Sequence, residues 1–134
     1  MCIRDRHRLE FDHPTLVRAA NGDVVVKTIV MEAIGVGLVV AVLQVKQRIH
    51  LQNVAAALGV GRARLRLLEE HELVPRCGFA RQCIGPLVRN HATVMVETEL
   101  VGDFLCGAGA PEWHFRTCRM ELCAKLSAIQ TSLS

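Results

Sequence analysis

Asp23-Val24-Val25-Val26-Lys27-Thr28-Ile29-Val30-Met31, then Leu38-Val39-Val40-Ala41-Val42-Leu43-Gln44-Val45 after Gly35-Val36-Gly37, is the stretch on which the fold turns. Both runs are rich in β-branched residues, which suit a pleated surface better than a helix. The intervening glycines allow a tight reversal, so the pair predicts an antiparallel hairpin. Neither run alternates strictly between apolar and polar residues, which implies that both faces of the hairpin are substantially covered.

Outward from the hairpin, strand and helix signals are mixed. Leu51 to Leu58 has apolar residues at 51, 54, 55 and 58, the stripe of a core-facing helix, and Gly59 supplies its stop. Ala63 to Leu68 reads as a short strand or the start of a further helix, Glu69 to Glu72 favours helix, and Pro75 is expected to break that pattern. Thr93 to Val96 and Asp103 to Cys106 predict two more strands, and Glu121 to Leu126 a closing helix. On the N-terminal side, Pro14 to Ala20 is expected to form a short surface helix stopped by Asn21-Gly22. The loop-like span from Cys77 to Pro86 carries Gly78, Gly85 and Pro86, where the backbone turns or approaches something closely. There is no regular βαβ repeat, so the expected fold class is α+β, with a mixed, curved or barrel-like β-sheet flanked by helices.

With 134 residues the chain can bury one core but not two. Met-Cys-Ile-Arg-Asp-Arg at 1–6 resembles translated sequencing-adaptor sequence and is expected to be that or a disordered tail. Residues 7–134 are expected to form a single domain, with a shortened native N-terminus if 1–6 are adaptor-derived. Sixteen basic and thirteen acidic residues give a formal charge of +3, which tolerates a polyanionic partner without forming the dense basic stripe of a duplex binder. The longest uncharged apolar run, Ala33 to Val45, is too short to span a bilayer. The six cysteines follow no signal peptide and form no CxxC pair, so reduced thiols and a cytoplasmic location are expected.

Few residues announce chemistry. Lys27 lies inside an apolar strand, where a charge costs free energy unless it is used or paired. Strand alternation can send it to solvent, or it can serve as a point-charge contact to a phosphate. Gly107-Ala108-Gly109, after a strand, can present backbone N–H groups to an anion or developing oxyanion, or can simply be a tight turn. The gaps between Cys77 and Cys83, and between Cys118 and Cys123, do not match zinc-ligand pairs, and no metal or cofactor is expected. A Cys–His nucleophile pair is one further reading, buried unreactive cysteine the commoner condition. No Ser-centred nucleophile elbow or paired-carboxylate motif is present.

Taken in order, several segments resemble the YbaK/prolyl-tRNA-synthetase-associated editing domain family, over about Pro14 to Ile129. Val25 to Val30 is similar to the family's strand with its single functional lysine, at Lys27. Leu51 to Gly59 with Arg62-Ala63-Arg64-Leu65 resembles the central helix and adjoining segment. Cys77-Gly78-Phe79-Ala80 and Ile84-Gly85-Pro86 resemble its threonine-glycine and Gly-Gly-Ile-Pro-Pro loop, Val94 to Leu100 the next strand with its acidic end, and Gly107 to Phe115 the glycine-rich strand and turn. The resemblance implies hydrolysis of the ester of mischarged aminoacyl-tRNA, with positioning and charge stabilisation in place of a covalent intermediate. It also implies site residues. Lys27 would hold the phosphate of the terminal adenosine, and Gly85 and Gly109 would join it as catalytic positions. Ile84, Pro86, Gly107, Ala108 and His114 would bind substrate. The implied partners are mischarged tRNA, through its terminal adenosine and amino acid, and an aminoacyl-tRNA synthetase, with no membrane.

The chain departs from the family pattern at Gln82 and Cys83, which replace paired glycines, at Gly85, which replaces a proline, and at Glu97, where aspartate is usual. These departures keep open a non-catalytic relative that binds tRNA ends, nucleotides or a synthetase, and an inactive fragment.

Overall fold

In a computed structural model, which describes residues 15–78, 85–86, 92–108 and 112–134, the strands are β1 (Leu16–Val17), β2 (Val26–Ala33), β3 (Gly37–Gln44), β4 (Leu65–Leu67), β5 (Thr93–Glu97), β6 (Asp103–Gly107), β7 (His114–Cys118) and β8 (Ile129–Thr131). The helices among the described residues are α1 (Leu51–Leu58), α2 (Glu70–Cys77) and α3 (Arg119–Leu126), with a 3₁₀ turn at Arg62–Arg64.

The predicted hairpin is the centre of the molecule. β2 and β3 pair antiparallel from Val26–Gln44 to Ala33–Gly37. β4 adds antiparallel to β2 while β5 and then β8 add in parallel on the other side, giving a mixed sheet in the order β4-β2-β3-β5-β8. A second antiparallel sheet, β1-β7-β6, meets the first at one parallel bridge between Val25 and Leu105. The expected α+β class with a curved, mixed sheet holds, as two sheets joined at a corner and not a closed barrel.

Both faces of the central sheet are covered, as the non-alternating strands require. Met31, Ala33, Val39, Ala41, Leu43 and Met95 pack on one side with Val54 and Ala55 of α1 and with Leu133. On the other, Val26, Val42 and Val96 meet Phe104, Cys106 and Phe115 of the second sheet and Leu122 of α3, while Val30, Val40 and Val94 meet Leu73 and Cys77 of α2.

Helix α1 has the predicted bounds. It ends at Gly59, whose φ of 74° is one that side chains with a Cβ resist. Two local expectations fail. Leu16–Val17 is a strand, not part of a helix, because pairing with Phe115 and His114 gives its backbone partners that seven isolated residues could not supply themselves. Helix α2 runs through Pro75 to Cys77. The proline removes one N–H from a two-turn helix, and compensation comes from its start, where Glu69 N–H donates to Glu72 Oε1 at 2.9 Å, and from Arg66 and Arg76, which link Glu72 and Glu32 at 2.8–3.0 Å.

The expectation of reduced thiols fails at Cys118, which is disulfide-bonded. Pairing depends on proximity in the folded chain, which a search for CxxC spacing does not test. Cys77, Cys106 and Cys123 are free. Among the described residues no helix is long and apolar enough to cross a membrane.

Candidate functional site

Lys27 is the second residue of β2 and pairs with Leu43, on the face that α1 covers. Its side chain is half-buried, and Nζ donates to the backbone carbonyl of Gln47 in the loop between β3 and α1. The ammonium is therefore neither free in solvent nor unpaired. Gln47 is itself fixed, because its Oε1 accepts from Gln44 N–H at 3.0 Å and its Nε2 donates to Ser134 Oγ at 3.3 Å.

The second sheet meets β2 just before this lysine. Val25 bridges Leu105, and Leu105 N–H donates to the Val24 carbonyl at 2.8 Å. Lys27 and Gly107 lie two residues beyond this bridge, which is isolated and does not continue to them as strand pairing. Gly107 pairs with His114, and His114 with Val17 of β1. Residues 80 positions apart in sequence thus lie close to one junction of the two sheets.

Gly85 closes on Gly107 from a different part of the chain. A Cβ placed on it would lie 1.9 Å from the Gly107 carbonyl oxygen and 2.8 Å from the carbonyl carbon. Only glycine lets the two backbones touch. Gly85 and Pro86 are buried, and Ala108 packs against the inter-sheet core. Ile84 and Gly109 lie outside the described residues.

His114 Nδ1 is buried with no hydrogen-bond partner. An unsatisfied buried acceptor or donor costs about 1–3 kcal/mol, which a ligand atom at that point would relieve. The free cysteines among the described residues are unsuited to act with it as nucleophiles. Cys106 pairs with Phe115 and faces the inter-sheet core, on the opposite side of β6 from Gly107, and burial pushes its thiol well above the ordinary range. Burial also raises Cys77 and Cys123, against smaller opposing effects of Arg76 and Arg119. A thiol so shifted is not a thiolate at neutral pH.

Glu97, at the end of β5, is fully buried. Burial alone would raise its pKa, but the backbone N–H groups of Leu133, Glu99 and Ser134 and the Thr98 hydroxyl point at its carboxylate and together hold it below the ordinary value. It fastens the C-terminal segment, whose Ser134 supports Gln47 and so, indirectly, the position of Lys27. Glu69, His71 and Glu72 bring possible metal-ligand atoms within 4.8 Å of one another, but Glu72 is committed to Arg66 and to the start of α2.

The sequence model of the aminoacyl-tRNA editing domain matches residues 15–122. The chain belongs to the aminoacyl-tRNA editing domain family. Three solved structures share the editing-domain fold. A candidate trans-editing enzyme for prolyl tRNA synthetase is 20% identical, with a TM-score of 0.76 over 92% of this chain and 88% of its own. A protein from work on epitope backbone grafting by computational design, for presenting linear epitopes on scaffold proteins, is 20% identical, with a TM-score of 0.78 over 92% and 87%. The hypothetical protein APE2540 is 15% identical, with a TM-score of 0.77 over 89% of each chain. Comparison with curated proteins gives no match.

Sequence reasoning about this editing domain missed Gln47, whose only signal was its place in a polar loop between Lys46 and Arg48. It also missed the fastening role of Glu97, a departure from the family residue that was noted without a structural meaning.

Proposed function

We propose that this editing domain is an aminoacyl-tRNA deacylase, hydrolysing the ester between an amino acid and the terminal ribose of mischarged tRNA. The observation that carries the reading is the meeting of the two sheets at Val25 and Leu105, two residues before Lys27 and Gly107, with Gly107 paired to His114 and the Gly85 backbone against it. Membership of the editing family and the fold of a candidate trans-editing enzyme support it.

In this reading Lys27 exchanges the Gln47 carbonyl for the phosphate of the terminal adenosine, a point charge meeting a point charge. Gly85, Gly107 and Gly109 bring bare backbone to the ester, Ile84, Pro86 and Ala108 shape the walls, and His114 Nδ1 meets a polar atom of the ribose or amino acid. A water oxygen adds to the ester carbonyl carbon, negative charge gathers on the carbonyl oxygen, and collapse expels the ribose oxygen, which takes the proton the water gives up. Free amino acid and uncharged tRNA result. Backbone N–H groups fixed beforehand near the carbonyl oxygen lower this barrier without a covalent intermediate. Such an activity serves cytoplasmic translation, alone or beside a synthetase whose own pocket separates similar amino acids by only about 1–3 kcal/mol.

The test is to incubate the protein with tRNAs charged with alanine, cysteine, serine or proline and follow ester loss, with Lys27→Ala beside it. Faster loss for at least one amino acid, reduced by Lys27→Ala, is the expected result. Loss no faster than in buffer for every charged tRNA overturns the enzymatic reading. The second reading is a binding-only role, which the departures at Gln82, Cys83 and Gly85 favour. A protein of that kind retards tRNA in a salt-dependent way without shortening the life of the ester.

A further inference from the structure

The chain has one tryptophan and no tyrosine, and the tryptophan is left at the surface. Trp113 is 37% exposed, whereas Phe104 and Phe115 fill the core between the sheets. It stands immediately before His114, in the connection from β6 to β7. The residue before it, Glu112, takes a φ of 67°, a left-handed conformation that residues with a Cβ adopt reluctantly. The Arg18 guanidinium reaches over the indole ring at 4.9 Å from its centroid. Arg18 follows Val17, which pairs with His114, so strand pairing places both members of the stack beside the same histidine. Among the described residues no carboxylate neutralises Arg18.

A large flat side chain left more than a third exposed beside an unneutralised planar cation is poorly explained by packing, since neither contributes to a buried cluster among the described residues. It matches how unpaired nucleobases are held: stacked on an aromatic ring or a guanidinium plane, with positive charge near the backbone. We propose that Arg18 and Trp113 form a stacking site for an unpaired base of a single-stranded RNA end, taking the nucleotide that precedes the terminal one. This rests on the deacylase reading only in assigning the terminal nucleotide to Lys27 and His114.

Because the chain has one tryptophan and no tyrosine, intrinsic fluorescence of the intact protein reports Trp113 alone. An RNA hexanucleotide ending in cytidine-cytidine-adenosine is titrated into the protein, beside the same hexanucleotide with an abasic residue in the penultimate position. Saturable quenching is expected, weakened on the order of tenfold or more by the abasic residue. In a fluorescence-independent assay with labelled RNA, Trp113→Ala should lose the discrimination between the two RNAs and Trp113→Phe should retain part of it. Lys27→Ala should weaken both RNAs alike. Equal quenching by the two RNAs, or no quenching by either, overturns the stacking site. Since uncharged RNA is used, base-dependent quenching without ester hydrolysis leaves this site standing and removes the deacylase. Hydrolysis of charged tRNA at an unchanged kcat/KM in Trp113→Ala does the reverse.

Discussion

Replacing Gly85 by alanine isolates one contact. Gly85 does not have a left-handed φ, so alanine brings no backbone strain, and the cost is the collision of its Cβ with Gly107. The new atom would sit 1.9 Å from the carbonyl oxygen, and an ordinary contact begins at 3.4 Å, so the two backbones must separate by about 1.5 Å. Gly107 is held by its pairing with His114 at the end of β6, which leaves the Gly85 segment to retreat. Overpacking of this kind costs about 1–3 kcal/mol, a fall in Tm of roughly 3–12 °C for a domain of this size. A displacement above 1 Å next to reacting atoms is expected to lower kcat/KM on the order of a hundredfold. Thermal melting and deacylation are measured together, with Gly61→Ala as the control. Gly61 has an extended backbone and no atom within 4 Å of an added Cβ, so that variant should gain about 0.4–1 kcal/mol. If Gly85→Ala melts and reacts like the parent, the two glycines are not in contact in solution and the site as described fails.

Three further outcomes are expected. The Glu97 carboxylate has a folded pKa below its unfolded value of about 4.5, so its contribution to stability is present above that pH and lost as pH falls through the lower folded value; Glu72, held at about 2 mainly by Arg66, titrates in the same direction. Glu97→Gln should therefore be less stable at pH 7 and lose less between pH 5 and 3, and denaturation curves with parallel pH slopes would count against the buried clamp. Phe104→Ala, which empties a fully buried site between the sheets, should cost about 3–5 kcal/mol in urea unfolding, and a cost under about 1 kcal/mol would contradict that packing. Iodoacetamide under native conditions should spare Cys106 and label it only after unfolding, and rapid native labelling located by mass spectrometry would show the core open at β6.

Much of the central architecture was legible because it depends on near neighbours in sequence. The β-branched runs around Gly35 and Gly37 can hardly do other than form a hairpin, and the stripe from Leu51 to Leu58 before Gly59 describes a helix that needs nothing else to be recognised. The shortest strands were not legible. Leu16–Val17 and Ile129–Thr131 carry too few residues to show periodicity, and each is a strand because a partner strand lies beside it. Pro75 misled for a related reason, since the ion pairs that help its helix survive come from β2 and β4.

By itself the sequence determined which residues could carry chemistry: one lysine in an apolar strand, glycines at two turns, a histidine near the second, and family motifs in the right order. It could not say that Lys27 rests on the Gln47 carbonyl, that Gly85 touches Gly107, or that Arg18 covers Trp113, because these partners are separated by 20, 22 and 95 positions. Only the meeting of two sheets at Val25 and Leu105 decided that Lys27 and Gly107 lie near one junction, since strand register is set by packing across the whole chain.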